Sequence, residues 1–403
     1  MISVNRLARN PDRMNGLKTP RVALVSSGLG NVHRGFEIST ARWFEALTTH
    51  TNLDVHLITG GPYPGAKSIP NIPRDNPLMM PFLNMPFTTE KRRWELAYGA
   101  EQFSFFWGLL AELWKIKPDV LWIKDVPLAH TVLFAKRLPL LDYRVIFANG
   151  GAFRPSTYEC FDHIQQLHPH AYDEAIAAGV SPTKMDFVSN CIDSKKLLNQ
   201  NGDGFRARLG LSEDDWIVTC TAAWNRYHKR IDYLIEEVAA LDDPSVKLIL
   251  FGVPEADFDS LKRLGEERLG SRIQWLSLPP EEVAAAVKAA DVFVLPSLNE
   301  GLGNALIEAA IVGTPVVCHP YPAAKYILQD SFWMTDLSEK GALTARLKEF
   351  RNEPPARERL EKMRNAVAMR FSDRKLAAEF ERMVDRVMKP EQVREKPVWA
   401  GRT

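Results

Sequence analysis

No C-x-x-C pair occurs in this sequence: its four cysteines, Cys160, Cys191, Cys220 and Cys318, are scattered along the chain. That spacing argues against a disulfide framework or a structural zinc site and fits a reducing compartment. Charge of one sign is missing as well. A formal net charge of +1 offers no global positive field, so nucleic acid is not expected as a partner. Long apolar runs are also absent. The most apolar segment, FSFFWGLLAELW at 103–114, is broken by Glu112 and falls short of the ~20 residues that cross a bilayer. The first twenty residues carry arginines but no apolar core, so they do not read as a secretory signal. The expectation is a soluble, cytoplasmic protein, with peripheral contact at the cytoplasmic membrane face as a second reading. No short repeat or low-complexity tract interrupts the chain.

What is present is alternation. The chain's 403 residues, 45% of them apolar, allow two to three domains with sizeable cores. RVALVSSG (21–28), LDVHLITG (53–60), PDVLWIKD (118–125) and YRVIFANG (143–150) are short apolar runs that end in polar residues or glycine. Helix-like sequence separates them, including a candidate at 90–116 after a proline-rich loop. A second series follows: WIVTCTAA (216–223), VKLILFGV (246–253), RIQWLSL (272–278), DVFVLPS (291–297) and TPVVCHP (314–320). Between its first two runs, Ile231, Leu234, Ile235 and Val238 mark one buried helical face. Two further helices are expected at about 356–371 and 374–388. This is the pattern of parallel sheets covered on both faces. It predicts an α/β chain of two doubly wound parallel-sheet domains facing across a cleft. The expected boundaries are a basic extension at 1–20, an N-terminal domain at 21–198, a linker at 199–210, a C-terminal domain at 211–372, and a helix and tail at 373–403.

The stretch SLNEGLGNALIEAAIVGTPVV (297–317) places chemistry at a strand's carboxyl end, where such sheets bind ligands. Glu300 falls in a turn, and a helix is expected from Gly303 or Asn304 to a stop at Gly313. Gly301 and Gly303 let a ligand approach the backbone, and free N–H groups at the helix start suit a phosphate. From the next turn Glu308 can accept bonds from vicinal hydroxyls such as those of a ribose, at ~1.5–3 kcal/mol per charged bond. Glu300, nearer the cleft, suits the hydroxyls of a sugar beyond the phosphates. The competing reading is a glycine turn with an exposed glutamate. A second cluster, Arg226, His228, Lys229 and Arg230, precedes the helix at 231. Cations there can neutralise a departing diphosphate, or they form a solvated basic loop.

The run ADVFVLPSLNEGLGNALIEAAIVGTPVV resembles the donor-binding signature of GT-B retaining glycosyltransferases of family 4, with its E-x7-E pair at Glu300 and Glu308. Lys229 stands at that family's phosphate-binding lysine. KMDFVSNCIDSKKL (184–197) resembles its interdomain crossover, and HRGFEISTARWFEAL (33–47) its N-terminal turn and helix, with Gly35 and Glu37 in place. The family's arginine five residues before the lysine is Trp224 here, and Arg226 is the candidate substitute. The first glycine of the N-terminal pair is Arg34. A histidine usual after the fourth strand is replaced within FANGG, where Asn149 is the candidate.

The resemblance implies two Rossmann-like GT-B domains, with the C-terminal helix and tail returning to the N-terminal one. It implies transfer of a sugar, with retention, from a nucleotide-diphosphate-sugar to an acceptor hydroxyl on a carbohydrate, lipid-linked or small molecule. Lys229, Glu300 and Arg226 are the expected catalytic residues. Glu308, Gly301, Leu302, Gly303, Asn304 and Gly35 are the expected donor contacts, with His33, Asn149 and His130 as further substrate contacts. No cofactor is implied and metal is dispensable, because a lysine and a helix end supply the positive charge. The D-x-D at Asp257 and Asp259 suits a helix start as well as it suits a metal. SSGLGNVHRG lacks the third glycine of a dinucleotide fingerprint. Phe103, Phe106, Leu110 and Trp114 in the 90–117 helix are expected to face the core. Two rival functions stand beside the transferase: an inactive GT-B binding partner and a non-hydrolysing nucleotide-sugar epimerase.

Overall fold

Short β-branched runs make the strands, and in the computed structural model their burial is complete where helices cover both faces. The structure describes residues 19–32, 35–74, 76, 90–137, 141–151, 153–255 and 257–389, with backbone only at 90, 91, 93 and 94. The expected basic extension, the tail beyond 389, and His33 and Arg34 therefore lie outside the described residues, apart from residues 19 and 20. In β1 (Arg21–Ser26), Val22, Ala23, Leu24 and Val25 are wholly buried, as a central parallel strand requires.

Seven parallel strands form the N-terminal sheet: β1, β2 (Asp54–Thr59), β3 (Lys67–Ser68), β4 (Val120–Ile123), β5 (Arg144–Ala148), β6 (His163–Gln166) and β7 (Met185–Phe187), in the order β3-β2-β1-β4-β5-β6-β7. Its helices include α1 (Gly35–His50), α2 (Glu90–Ile116) and α3 (Val126–Ala135). The C-terminal sheet has five parallel strands, β8 (Trp216–Thr221), β9 (Val246–Phe251), β10 (Ile273–Leu276), β11 (Val292–Leu295) and β12 (Val316–Cys318), ordered β10-β9-β8-β11-β12. Around it lie α4 (Ile231–Ala239), α5 (Phe258–Leu269), α6 (Asn304–Val312) and α7 (Arg357–Arg370). Two Rossmann-like domains result. Each reverses strand order beside its first strand, between β1 and β4 and between β8 and β11, and ligands bind at such switch points. In α4 the buried face is Ile231, Leu234, Ile235 and Val238, each worth ~1.5–3 kcal/mol when fully buried.

The chain passes between domains twice, at adjacent places. The Ile192 amide donates to Phe371 O at 3.0 Å, and the Asp373 amide donates to Ile192 O at 3.2 Å. After the second passage α8 (Asp373–Met388) lies on α1, with Phe380 4.9 Å from Trp43. The crossing thus precedes the linker expected at 199–210. Phe205, 6% exposed, and Arg206, paired with Asp291 at 2.6 Å, tie that stretch into the C-terminal domain.

Helix α2 departs from expectation in its facing. Phe105, Leu109 and Leu113 are its buried stripe. Phe103, Trp107 and Trp114 stand 66%, 61% and 54% exposed, aligned on the outer face with Leu96. Four-residue steps from Ala97 through Glu101 to Phe105 set that inner face, and it excludes Phe103 and Trp114.

Candidate active site

A cavity of about 910 Å³ lies between the domains, bounded by the start of α1 and by segments after β4, β8 and β11. Its C-terminal wall is built on α6. The strand β11 ends at Leu295, and the turn that follows reaches Gly303, which caps the helix at φ +93° with no side-chain bond to the first amides. A side chain at Gly303 would also meet the Tyr321 hydroxyl at 2.9 Å. The uncapped helix start, with Leu302, Gly303 and Asn304, opens into the cavity. Gly301 is required for a different reason: a β-carbon there would lie 2.7 Å from the carbonyl of Gly150 across the cleft.

Lys229 enters from the loop between β8 and α4. Asn225, 3% exposed, accepts the amides of His228 at 3.1 Å and Lys229 at 2.8 Å through one side-chain oxygen, and so fixes the loop. The Lys229 amine then donates to Glu300, whose other oxygen lies 3.5 Å from His228 Nε2. A lysine and a glutamate are thus held together beside the helix start, both lining the cavity. One turn along α6, Glu308 pairs with Arg42 of α1 at 2.7 Å. Gly35 begins α1 and faces Asn304, whose amide nitrogen is 3.9 Å from a β-carbon built at Gly35. Two helix N-termini therefore converge on one space, and their partial positive charges favour an anion there.

Beyond Lys229 the cavity continues over the carboxyl ends of β8, β9 and β10, along Thr221, Gly252, Ser277, Pro279 and Val283. Gly252 cannot be replaced without moving backbone, since a β-carbon would sit 1.8 Å from Ala222 O. The lining of this slot is mostly apolar, with Thr221, Ser277 and Glu281 as the polar members. Opposite it, the N-terminal wall carries Phe36, Ser39, Arg42, Lys124 and Asn190.

Several expected contacts fall elsewhere. Arg226 turns from the cleft: its amide donates to Asp257 at 2.9 Å and its guanidinium reaches Asp232 at 3.3 Å. Trp224 also points away, 3% exposed and stacked 4.9 Å from Phe258. Neither residue lines the cavity, where the arginine present is Arg42, its guanidinium paired with Glu308. Asp257 is occupied with the Arg226 amide, and no group of three or more metal-ligating side chains occurs among the described residues. Asn149 donates to Gln166 at 2.8 Å beneath the cavity wall. His130 lies on α3 against Phe161, with ring centroids 5.0 Å apart. His33 lies outside the described residues. The sequence reading passed over Asn225, Arg42, Ser39, Lys124 and Asn190. Lys124 alone had a visible signal, a cation ending an apolar strand.

Residues 203–366 match the family model described as glycosyl transferases group 1. D-inositol 3-phosphate glycosyltransferases of Mycobacterium bovis and Mycobacterium tuberculosis are 30% identical over 207 residues, 48% of this chain. The match spans 42% of those relatives' own length. Among solved structures, sucrose-phosphate synthase from Thermosynechococcus elongatus aligns over 91% of this chain and 99% of its own, with TM-score 0.73 and 18% identity. Anabaena HepE in complex with UDP and glucose aligns over 91% and 99%, with TM-score 0.68 and 14% identity. The segment 203–366, which carries Lys229, Glu300 and Glu308, is thus similar to glycosyl transferases group 1, and the described chain has the two-domain fold of GT-B glycosyltransferases.

Proposed function

We propose that this chain is a retaining glycosyltransferase that moves a sugar from a nucleotide-diphosphate-sugar to an acceptor hydroxyl. One observation carries the reading: the uncapped start of α6 meets Lys229 and Glu300 on one side and Glu308 on the other, in a single cavity. The phosphates lie at the helix end and Lys229, the ribose at Glu308, the sugar at Glu300, and the base in the slot over β8–β10. The family match at 203–366 and a structural relative solved with UDP and glucose support a nucleotide sugar as the donor.

The transfer runs as a front-face displacement. The bond from the anomeric carbon to the leaving phosphate oxygen breaks while the acceptor oxygen bonds to the same face. The acceptor's proton passes to the leaving phosphate. Lys229 and the α6 amides bear the growing negative charge, and one such preorganised donor is worth ~2.7–4 kcal/mol. In the structure Glu300 already holds Lys229, so the lysine needs little reorganisation when a diphosphate arrives. Divalent metal is not expected to be required.

A thermal-shift screen against UDP-, GDP-, ADP- and dTDP-sugars tests the donor. One donor should stabilise the fold by ~2.7 kcal/mol at a hundredfold excess over its dissociation constant. If no nucleotide sugar shifts the transition, the reading is wrong.

Peripheral membrane contact belongs to the same proposal, since an acceptor can be lipid-linked. No helix among the described residues is long and apolar enough to cross a membrane. The outer stripe of α2 instead presents Phe103, Trp107 and Trp114, with Arg92 and Lys115 exposed near its ends and paired with Glu95 and Glu112. Such a face suits an anionic lipid surface. Co-sedimentation with vesicles containing phosphatidylglycerol should fall on Trp107→Ser; equal recovery of both proteins would remove this part of the reading.

A further inference from the structure

The most deeply placed cation in the cleft wall takes no part in the transfer as described. Lys124 follows β4 and is 2% exposed, yet it lines the cavity with Ser39 and Asn190. Its amine donates to the Ser39 hydroxyl and, at 3.4 Å, to the Asn190 side-chain oxygen. The Ser39 hydroxyl donates to Phe36 O at 2.8 Å, and the Asn190 side-chain amide donates to the Asn304 side-chain oxygen at 3.3 Å. Those two partners are thereby oriented as acceptors. An ammonium has three donors, so two hydrogen bonds leave one unassigned in a residue that lines the cavity. The rings of Phe36 and Trp122, with centroids 5.3 and 5.1 Å from the amine, close the other sides.

No carboxylate among the described residues forms an ion pair with Lys124. The nearest acids are engaged elsewhere: Glu37 with Arg74 at 3.1 Å, and Asp125 with Tyr98 at 2.6 Å and the Ser27 amide at 3.3 Å. Arg74 is shared further with Glu101 at 2.7 Å. The Cys191 thiol nearby is pushed up to about 12 by burial and carries no charge at neutral pH. A buried cation without an ion pair is costly, and burial pushes the Lys124 amine down to about 7 against the attraction of Glu37 and Asp125. Lys229 differs, because Glu300 already neutralises it. The cavity therefore has one wall whose charge is settled and one whose charge awaits a counter-ion. Neutral hydroxyls of a plain sugar would leave Lys124 as it is. An anionic group would complete it.

We propose that Lys124, held by Ser39 and Asn190, is an anion subsite in the N-terminal wall, and that it takes a phosphate ester or carboxylate carried by the acceptor. This rests on the cleft being a transfer site. It goes further by naming the acceptor's chemical class and the residue that selects it.

Calorimetric titrations of the full chain, saturated with whichever nucleoside diphosphate stabilises it most, test the proposal. The ligands are hexose and cyclitol monophosphates, uronic acids and their uncharged parents. At least one anionic ligand should bind tenfold or more tightly than its parent, with uptake of about one proton at pH 8 as the amine recharges. Lys124→Met should abolish both the preference and the proton uptake, and Ser39→Ala should weaken the preference severalfold in a protein that keeps its native melting transition. Stabilisation of each variant by the nucleoside diphosphate alone reports that the cleft is intact. If the nucleotide binds and no anionic ligand is preferred over its parent, the subsite is refuted while the transfer reading stands. Should Lys124→Met weaken nucleoside diphosphate as much as it weakens the anionic ligand, the anion belongs to the donor and the proposal is overturned. Failure of every nucleotide to bind wild-type protein removes the transfer reading and the subsite with it.

Discussion

The two walls of the cleft treat charge differently. On the C-terminal side Lys229 and Glu300 neutralise one another, and a single buried Asn225 holds the loop that presents the lysine. On the N-terminal side the hydrogen-bond partners of Lys124 among the described residues are neutral, and the buried carboxylates nearest it, Glu37, Glu101 and Asp125, are engaged with Arg74 and Tyr98. Arg42 links the walls through Glu308. A self-neutralised site can wait preformed for a ligand whose charge it meets only in passing. A site with an unpaired cation is completed by its ligand, and so it discriminates. That contrast fits one wall that serves any transfer and another that chooses the acceptor.

The largest expected effect sharpens the first half of the contrast. Lys229→Ala should lower turnover by ~10²–10³ while donor affinity falls much less, because in the proposed transfer the lysine acts on charge that develops as the phosphate leaves. Steady-state kinetics beside donor titrations separate the two quantities, and unchanged turnover would remove Lys229 from the leaving-group role. Glu308→Ala should weaken donor binding at least tenfold, read by the donor-induced thermal shift. It should also release Arg42, since the pair is the direct charged link between α1 and α6.

The next expectation bears on the other wall. Lys124 is depressed to about 7 when folded but titrates near 10.4 when unfolded. Between those values the unfolded chain holds a proton that the folded chain does not, so stability rises with pH across that window. Below about 7 the burial cost is fully present. Relative to Lys124→Met, wild-type stability should be flat below pH 7 and should climb by at most ~1.4 kcal/mol per pH unit above it. Parallel denaturation curves at pH 6, 8 and 9.5 measure this, and a constant difference across them would mean the amine stays charged. The smallest effect is expected at Arg226→Ala, within about twofold of wild type in donor affinity, because its guanidinium sits on Asp232 outside the cavity. A tenfold loss would return Arg226 to the site.

The C-terminal wall was the more legible in sequence for a physical reason. Its chemistry is carried by backbone and by glycine spacing, and Gly301, Gly303 and Gly252 stand where a β-carbon would collide. Its strands are mostly apolar, VFVL in β11 and VVC in β12 without interruption. The N-terminal domain hides more. The strand β6 reads HIQQ and offers no apolar run, yet it is wholly buried, because His163 pairs with Asp186 at 2.9 Å and Gln165 accepts from Trp122 Nε1 at 2.6 Å. A short spacing in sequence also misplaced Arg226: the loop carries its backbone onto Asp257, and two residues of separation sufficed to turn the side chain away. Helical spacing suggested an inward face for Phe103 and Trp114, but the periodicity alone fits either of two stripes, and the one through Phe105 and Leu109 is buried. Lys124 was visible only as a cation after β4. What distinguishes it is the absence of an ion-paired acid among the described residues, which no local pattern encodes.

Anomeric analysis of the product tests the account most directly. With the donor that stabilises the chain, and an acceptor from the anionic set, nuclear magnetic resonance should show a new glycosidic bond of the donor's own configuration, formed in step with release of nucleoside diphosphate. A product of inverted configuration, or nucleotide binding with no bond formed to any acceptor, would contradict it.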